Sequence, residues 1–200
     1  IHRLPNVVIL AGAGVGGGSL NSANTLYVPP APFFQDRQWA DITDWQSELA
    51  PHYAMASTML GVVTNPCEGL VEEVMRATAR DLGVEDTFRK TPTGVFYGMP
   101  GTRVPDPYFG GVGPERTGCT ECGNCMVGCR VGAKQSVVKT WLADAQEAGT
   151  RLIVRTRVQK VIVHGGAAAG VAGVTTEGHS ITIRSRAMLV ACGAIQTPAL

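Results

Sequence analysis

Cys119, Cys122, Cys125 and Cys129 follow one another with the spacing C-x2-C-x2-C-x3-C. Four thiols inside eleven residues can enclose one soft metal centre, and this spacing holds iron–sulfur clusters in bacterial ferredoxins. A zinc ion takes four thiolates equally well. Two features separate the run from a ferredoxin: Arg130 stands where a proline usually follows the fourth cysteine, and the chain carries no second set of four. Three readings therefore stay open: a 4Fe–4S cluster, a zinc ion, or a purely structural role as two local disulfides or free thiols in a glycine turn. The other two cysteines, Cys67 and Cys192, stand far away, which argues against an extracellular disulfide framework. Cys67 reads as a small buried hydrophobe in the first turn of a helix.

The second stretch with chemical potential is VVILAGAGVGGGSLNSAN, Val7 to Asn24. Val7–Leu10 is apolar without alternation, which predicts a strand buried on both faces of a parallel sheet. Five glycines follow, Gly12, Gly14, Gly16, Gly17 and Gly18, and then Ser19 with its hydroxyl. Such a loop lets a flat or phosphorylated ligand approach the backbone, because no Cβ stands in the way. Gly12-x-Gly14-x-x-Gly17 matches the glycines of the dinucleotide fingerprint. It lacks the helix that should open on the last glycine and the acid about 20 residues on. A tight turn packing strand against strand is the plainer reading.

Several elements must position these two stretches. Tyr27–Asp41 is rich in proline and aromatics and predicts a non-helical crossing segment anchored by Phe33, Phe34 and Trp39. Thr43 and Gln46 suit a capping box for a helix carrying Trp45, Leu49, Tyr53, Ala56 and Leu60, kinked or restarted at Pro51. His52 lies off that stripe and reads as solvated. Asn65-Pro66-Cys67-Glu68 caps a second helix, whose apolar face is Leu70, Val71, Val74, Met75 and Leu82 and whose end is Gly83. Thr91–Thr117, full of glycine and proline, predicts a long ordered loop of the kind that lines clefts. Ser136 suits the cap of a third helix with Val137, Val138, Trp141, Leu142 and Ala145 inward and Gly149 at its end. Four β segments, Leu152–Arg155, Val158–His164, Val171–Thr176 and Ser180–Ile183, predict an antiparallel meander. Met188–Ala191 is again wholly apolar and predicts a return strand to the parallel sheet.

The chain has 200 residues, 44% of them hydrophobic, and a formal net charge of +1. That length can bury a substantial core. The near-neutral balance, with no basic run longer than Arg184-Ser185-Arg186, gives no reason to expect nucleic acid or an anionic membrane surface as a partner. No apolar run is long enough for a transmembrane segment, and Ile1–Pro5 lacks the features of a secretory leader. The clustered cysteines favour a cytoplasmic setting. The sequence does not open on methionine, so a piece of a longer chain is expected. Oligomeric state is not legible.

Taken in order, GAGVGGGSLNSANTLY, PDPYFGGVGPERTGCTECGNCMVGCRVGAKQSVVKTWL and LVACGAIQTPAL resemble the glucose-methanol-choline (GMC) oxidoreductases, most closely their cholesterol-oxidase-like branch. One family signature matches Val15–Leu20, and a second begins to match at Gly193-Ala194-x-x-Thr197-Pro198. The resemblance implies a flavoenzyme of steroid metabolism that binds FAD and oxidises an alcohol, here a sterol 3β-hydroxyl, by hydride transfer to the flavin N5. It implies an α/β mixture: part of an FAD-binding Rossmann-like domain, with an antiparallel meander and helical and loop insertions from the substrate domain. On that basis the chain divides at residues 1–30 (strand and glycine loop), 31–117 (segment bordering the substrate domain), 118–150 (cysteine run and following helix) and 151–200 (meander and return strand). The implied FAD contacts are Gly14, Val15, Gly16, Gly17, Gly18, Ser19, Ser22 and Asn24, with Val158 at the adenine and Ala191 and Gly193 over the ribose and phosphates. Where the family has an asparagine at the flavin edge, this chain has Ser22, between Asn21 and Asn24. The family's catalytic histidine and its partner correspond to sequence beyond Leu200, so no catalytic residue is assigned. An iron–sulfur electron-transfer module built on the four cysteines is the alternative function.

Overall fold

The computed structural model describes residues 2–200. They divide into two compact units, with the boundary between Thr150 and Arg151. The described strands are short and, within the sheets, paired antiparallel throughout: three two-stranded sheets and one of three strands. The chain is thus a mixed α/β structure.

In the first unit, β1 (His2–Arg3) pairs with β2 (Val8–Ile9), His2 opposite Ile9. This corrects the expectation of a doubly buried parallel strand at Val7–Leu10. Only two of those residues are paired, and Val8 is 63% exposed. A parallel strand needs a hydrogen-bonded neighbour on each edge and cover on both faces. Among the described residues β2 pairs only with β1, and the result is an open hairpin.

The aromatic crossing segment contains one helical turn, α1 (Ala31–Phe34). Phe34 is buried, while Phe33 packs on Trp39 with ring centroids 5.1 Å apart. Helix α2 (Trp45–Met59) starts one residue later than a Thr43 cap would place it: Asp44 is the cap, and its carboxylate accepts from the Ser47 backbone N–H at 3.2 Å. The helix runs through Pro51 without restarting. β3 (Val63–Thr64) leads to α3 (Leu70–Asp81), which ends at Gly83 with φ +71°, a backbone shape suited to glycine. The apolar face expected to point inward is open: Leu70, Val71, Val74 and Met75 are all exposed, and Val71, Met75 and Leu82 line a cavity of about 500 Å3 with Phe88 and Tyr27. Helical periodicity identifies a face but does not supply the surface that covers it.

β4 (Pro92–Thr93) is the axis of this unit. It pairs with β3, Thr93 bridges to Thr25, and just beyond it Val95 bridges to Lys134. Val95, Ala133, Thr93, Lys134 and Gln135 are buried around it. The core is accordingly small and strongly polar. β5 (Arg103–Val104) and β6 (Arg116–Thr117) form the third hairpin in the long loop region. The Arg116 guanidinium, only 1% exposed, donates to Gln135 Oε1 at 3.0 Å. A 3-10 turn at Val137–Lys139 and then α4 (Trp141–Glu147) replace the single helix expected from Ser136. The Ser136 side chain does not cap that start, and the backbone at Thr140 breaks the helix in two.

The second unit is a meander: β7 (Thr156–His164), β8 (Ala167–Thr175) and β9 (Ser180–Arg184), paired in sequence order. Gly173 sits where a Cβ would lie 2.4 Å from the Arg157 carbonyl oxygen, so the β7–β8 approach requires a residue with no side chain. Two expectations fail here. Leu152–Arg155 is not a strand, because Arg155 has φ +52°, outside the β region. Met188–Ala191 is not a strand either: Leu189 is 90% exposed, and among the described residues no neighbour pairs with this run before the short α5 (Gly193–Gln196). His164 and His179 are exposed, as is His52.

Candidate functional site

The glycine loop turns through a 3-10 segment, Gly17–Leu20. Gly17 has φ +50°, and a Cβ there or on Gly18 would meet nothing within 4 Å, so both present bare backbone to open space. Gly12 differs: its Cβ would lie 2.2 Å from the Gly17 carbonyl oxygen, which makes this glycine a closure of the loop rather than a window. The loop borders a cavity of about 360 Å3 whose other walls include Met126, Cys129, Lys134 and Lys139.

The expected cofactor residues take different positions. The Ser19 hydroxyl donates to Gly16 O at 2.7 Å and accepts from the Val137 N–H at 3.2 Å, tying the loop to the segment before α4. Ser22 is exposed, and its carbonyl accepts from Lys134 Nζ at 2.7 Å. Asn24 is buried, at φ +68°, with its side-chain amide directed at Cys125 Sγ, 3.5 Å away. Val158, Ala191 and Gly193 belong to the second unit. Val158 is paired with Gly173 at the point where the β7 register shifts, and Ala191 and Gly193 are exposed.

The cysteine run wraps a second cavity, of about 300 Å3. Cys119, Cys122, Cys125 and Cys129 all line it, together with Cys67, Tyr97 and Lys134. The run begins where the Cys119 N–H donates to Phe96 O at 2.9 Å, which hangs the loop on the segment just beyond β4. Glu121, Gly123 and Gly128, all at positive φ, then fold it back on itself. All six cysteines are free thiols, which removes the two local disulfides expected as one structural reading. Among the described residues no three histidine, cysteine or acidic side chains converge to hold a single metal ion, so the zinc reading has no ready-made tetrahedral site.

Cys67 is the residue missed at the sequence level. Asn65 Oδ1 accepts from its backbone N–H at 2.9 Å, and Lys90 Nζ donates to its carbonyl at 3.0 Å, so a local turn and a distant lysine hold it at the cavity wall. Burial, with the Glu121 carboxylate and Cys119 nearby, pushes the Cys67 thiol above its ordinary range. Burial does the same to Cys119. Burial also acts upward on Cys129, but the backbone amides of residues 131–134 outweigh it and lower its pKa.

Lys134 joins the two cavities, since both are lined by it and by Cys129. At 4% exposure its ammonium donates to the carbonyls of Leu20 (3.2 Å), Ser22 (2.7 Å) and Cys125 (2.9 Å). One side chain thus fastens the end of the glycine loop to the middle of the cysteine run. Burial lowers its pKa against the upward pull of Cys125 and Cys129. Lys139, half-buried, supports it by donating to Gly132 O at 2.7 Å and Lys134 O at 3.2 Å.

Comparison with known proteins gives this arrangement a family. A profile described as GMC oxidoreductase matches residues 111–200. A cholesterol oxidase of Mycobacterium tuberculosis is 58% identical over 80% of this chain and 28% of its own length. A cholesterol oxidase of Acinetobacter baumannii is 38% identical over 88% of the chain and 32% of its own length. The chain belongs to the GMC oxidoreductase family. A more distant relative, a long-chain-alcohol oxidase of Arabidopsis thaliana, is 31% identical over 98% of the chain and 25% of its own length. The chain therefore spans between a quarter and a third of these GMC relatives. No helix among the described residues is long and apolar enough to cross a membrane.

Proposed function

We propose that this chain is the part of an FAD-dependent alcohol oxidoreductase that carries the glycine loop of the flavin site, and that the whole enzyme oxidises a sterol 3β-hydroxyl to the ketone. The observation that carries the reading is the bare backbone at Gly17 and Gly18, in a loop whose flanking residues Gly12, Ala13, Ser19, Leu20 and Asn21 line a cavity of about 360 Å3. The 58% identity to a protein named cholesterol oxidase supports a sterol as the substrate class. The residues fit the cofactor: a flat ring can lie against backbone that has no Cβ to displace it.

On this reading Gly14, Val15, Gly16, Gly17 and Gly18 bear on the pyrophosphate and ring, and Ser22 stands at the flavin edge. Ser19 acts indirectly, because its hydroxyl is already committed to Gly16 and Val137 and so fixes the curvature of the loop. Asn24 acts the same way, through Cys125. From the second unit the family resemblance offers Val158 for the adenine and Ala191 and Gly193 for the ribose and phosphates. Bound FAD supplies the hydride acceptor, while the protein orients the alcohol and sets the charge around the ring. Lys134 lines the glycine-loop cavity with a buried positive charge, which would favour added negative charge on a bound flavin.

The test is Gly17→Val in the full-length protein. Its side chain fills the open space and strains the backbone at φ +50°, so flavin content should fall at least tenfold while the protein still folds. Retention of flavin at the wild-type ratio overturns the placement of the loop. Anaerobic bleaching of the wild-type flavin by a 3β-hydroxysterol, and not by its 3-ketone, tests the substrate class.

A further inference from the structure

The flavin reading does not use the cavity of five cysteines. That cavity combines three observations. First, four thiols from one eleven-residue run, plus Cys67 from a segment far upstream, face a space of about 300 Å3, yet among the described residues no three ligating groups meet at one point as a single ion needs. A multi-iron cluster makes a different demand, because each iron takes one thiolate and the sulfurs stand apart around the core.

Second, hydrogen-bond donors are aimed at the sulfurs. Asn24 Nδ2 approaches Cys125 Sγ at 3.5 Å, the Glu121 N–H approaches Cys119 Sγ at 3.3 Å, and the Lys134 N–H approaches Cys129 Sγ at 3.5 Å. A neutral thiol is a weak acceptor and gives little return for burying Asn24 at a left-handed backbone position, whereas a metal-bound thiolate is a strong acceptor. Third, two ammonium groups back the site. Lys134 is buried and Lys139 half-buried, and among the described residues neither is in an ion pair with a carboxylate. Glu121 is the one acidic residue on the wall, and it lies beside Cys67. Buried positive charge without a counter-ion is costly unless the occupant of the cavity is anionic.

We propose that Cys119, Cys122, Cys125 and Cys129 bind a 4Fe–4S cluster in this cavity, with Cys67 as an unliganded wall residue. Through Cys129 and Lys134 the cluster adjoins the glycine-loop cavity, so it is a one-electron centre next to the flavin; this last point rests on the flavin reading above.

The experiment is anaerobic purification of the full-length protein, or its reconstitution with ferrous iron and sulfide, followed by separate assays of iron, acid-labile sulfide, zinc and flavin. The expected result is about four irons and four sulfides per chain, with broad visible absorption that fades on dithionite and a paramagnetic signal from the reduced state. Cys125→Ser should abolish the signal, and Cys67→Ala should leave iron content unchanged. Asn24→Asp tolerates the same backbone position but replaces the donor with a negative charge, so it should move the reduction midpoint to a more negative potential. Absence of iron and sulfide after reconstitution, one zinc in their place, a midpoint unmoved by Asn24→Asp, or loss of iron in Cys67→Ala each overturns the assignment. Flavin without iron defeats this proposal alone. Iron without flavin leaves the cluster standing and defeats the flavin reading.

Discussion

Lys134→Met removes the charge that links the glycine loop to the cysteine run while keeping the length and most of the bulk of the side chain. The wild-type ammonium makes three hydrogen bonds, to the carbonyls of Leu20, Ser22 and Cys125. Hydrogen bonds to a charged group contribute about 1.5–3 kcal/mol each, and the cost of burying the ammonium offsets part of that. With three bonds at the low end, and three carbonyls left without their donor in the variant, the net loss is about 3 kcal/mol. Since about 1.4 kcal/mol corresponds to a factor of ten, local opening of both loops becomes roughly 100-fold more frequent. Hydrogen–deuterium exchange read by mass spectrometry reports this directly: peptides covering residues 17–24 and 119–134 should both exchange faster, while β7–β9 keeps its protection. Acceleration below threefold, or acceleration in only one of the two loops, refutes the view that Lys134 fastens them together.

Gly118→Ala places a Cβ 2.1 Å from the Met99 carbonyl oxygen, so backbone must move; a loss of roughly 1–3 kcal/mol is expected, read as a lower urea midpoint with an unchanged slope. Glu68 is held at a pKa of about 2 by hydrogen bonds from Arg76 and then Lys90. Its folded-state value lies below the ordinary 4.5, so this contribution is complete above pH 4.5 and fades as pH falls toward 2. Because the group is exposed, the effect is small. Thermal melts of the wild type and Glu68→Gln should differ at pH 6 and converge near pH 2, and a constant gap across that range contradicts the assignment.

Much of the local structure was legible because it depends on near neighbours in sequence. The meander follows from alternation and intervening glycines and the end of α3 from Gly83, whereas α2 starts one residue past the cap expected at Thr43 because Asp44 supplies it. The cysteine spacing alone identified a thiol-rich loop. The apolar runs Val7–Leu10 and Met188–Ala191 do not form strands of a parallel sheet, since hydrophobicity signals a tendency to burial and does not provide the strands that would pair with them.

What the sequence determined by itself is therefore the set of parts: a loop with five glycines, four cysteines in a short run, an antiparallel meander, and the family they belong to. Tertiary structure alone decided what those parts do to one another. It brought Cys67 to the cysteine cavity from outside the run, turned Asn24 toward Cys125 and placed Lys134 between two loops. The physical reason is that a buried charge or amide must find its partners in space, and residues more than a hundred positions apart are as available for that as adjacent ones once the chain has closed.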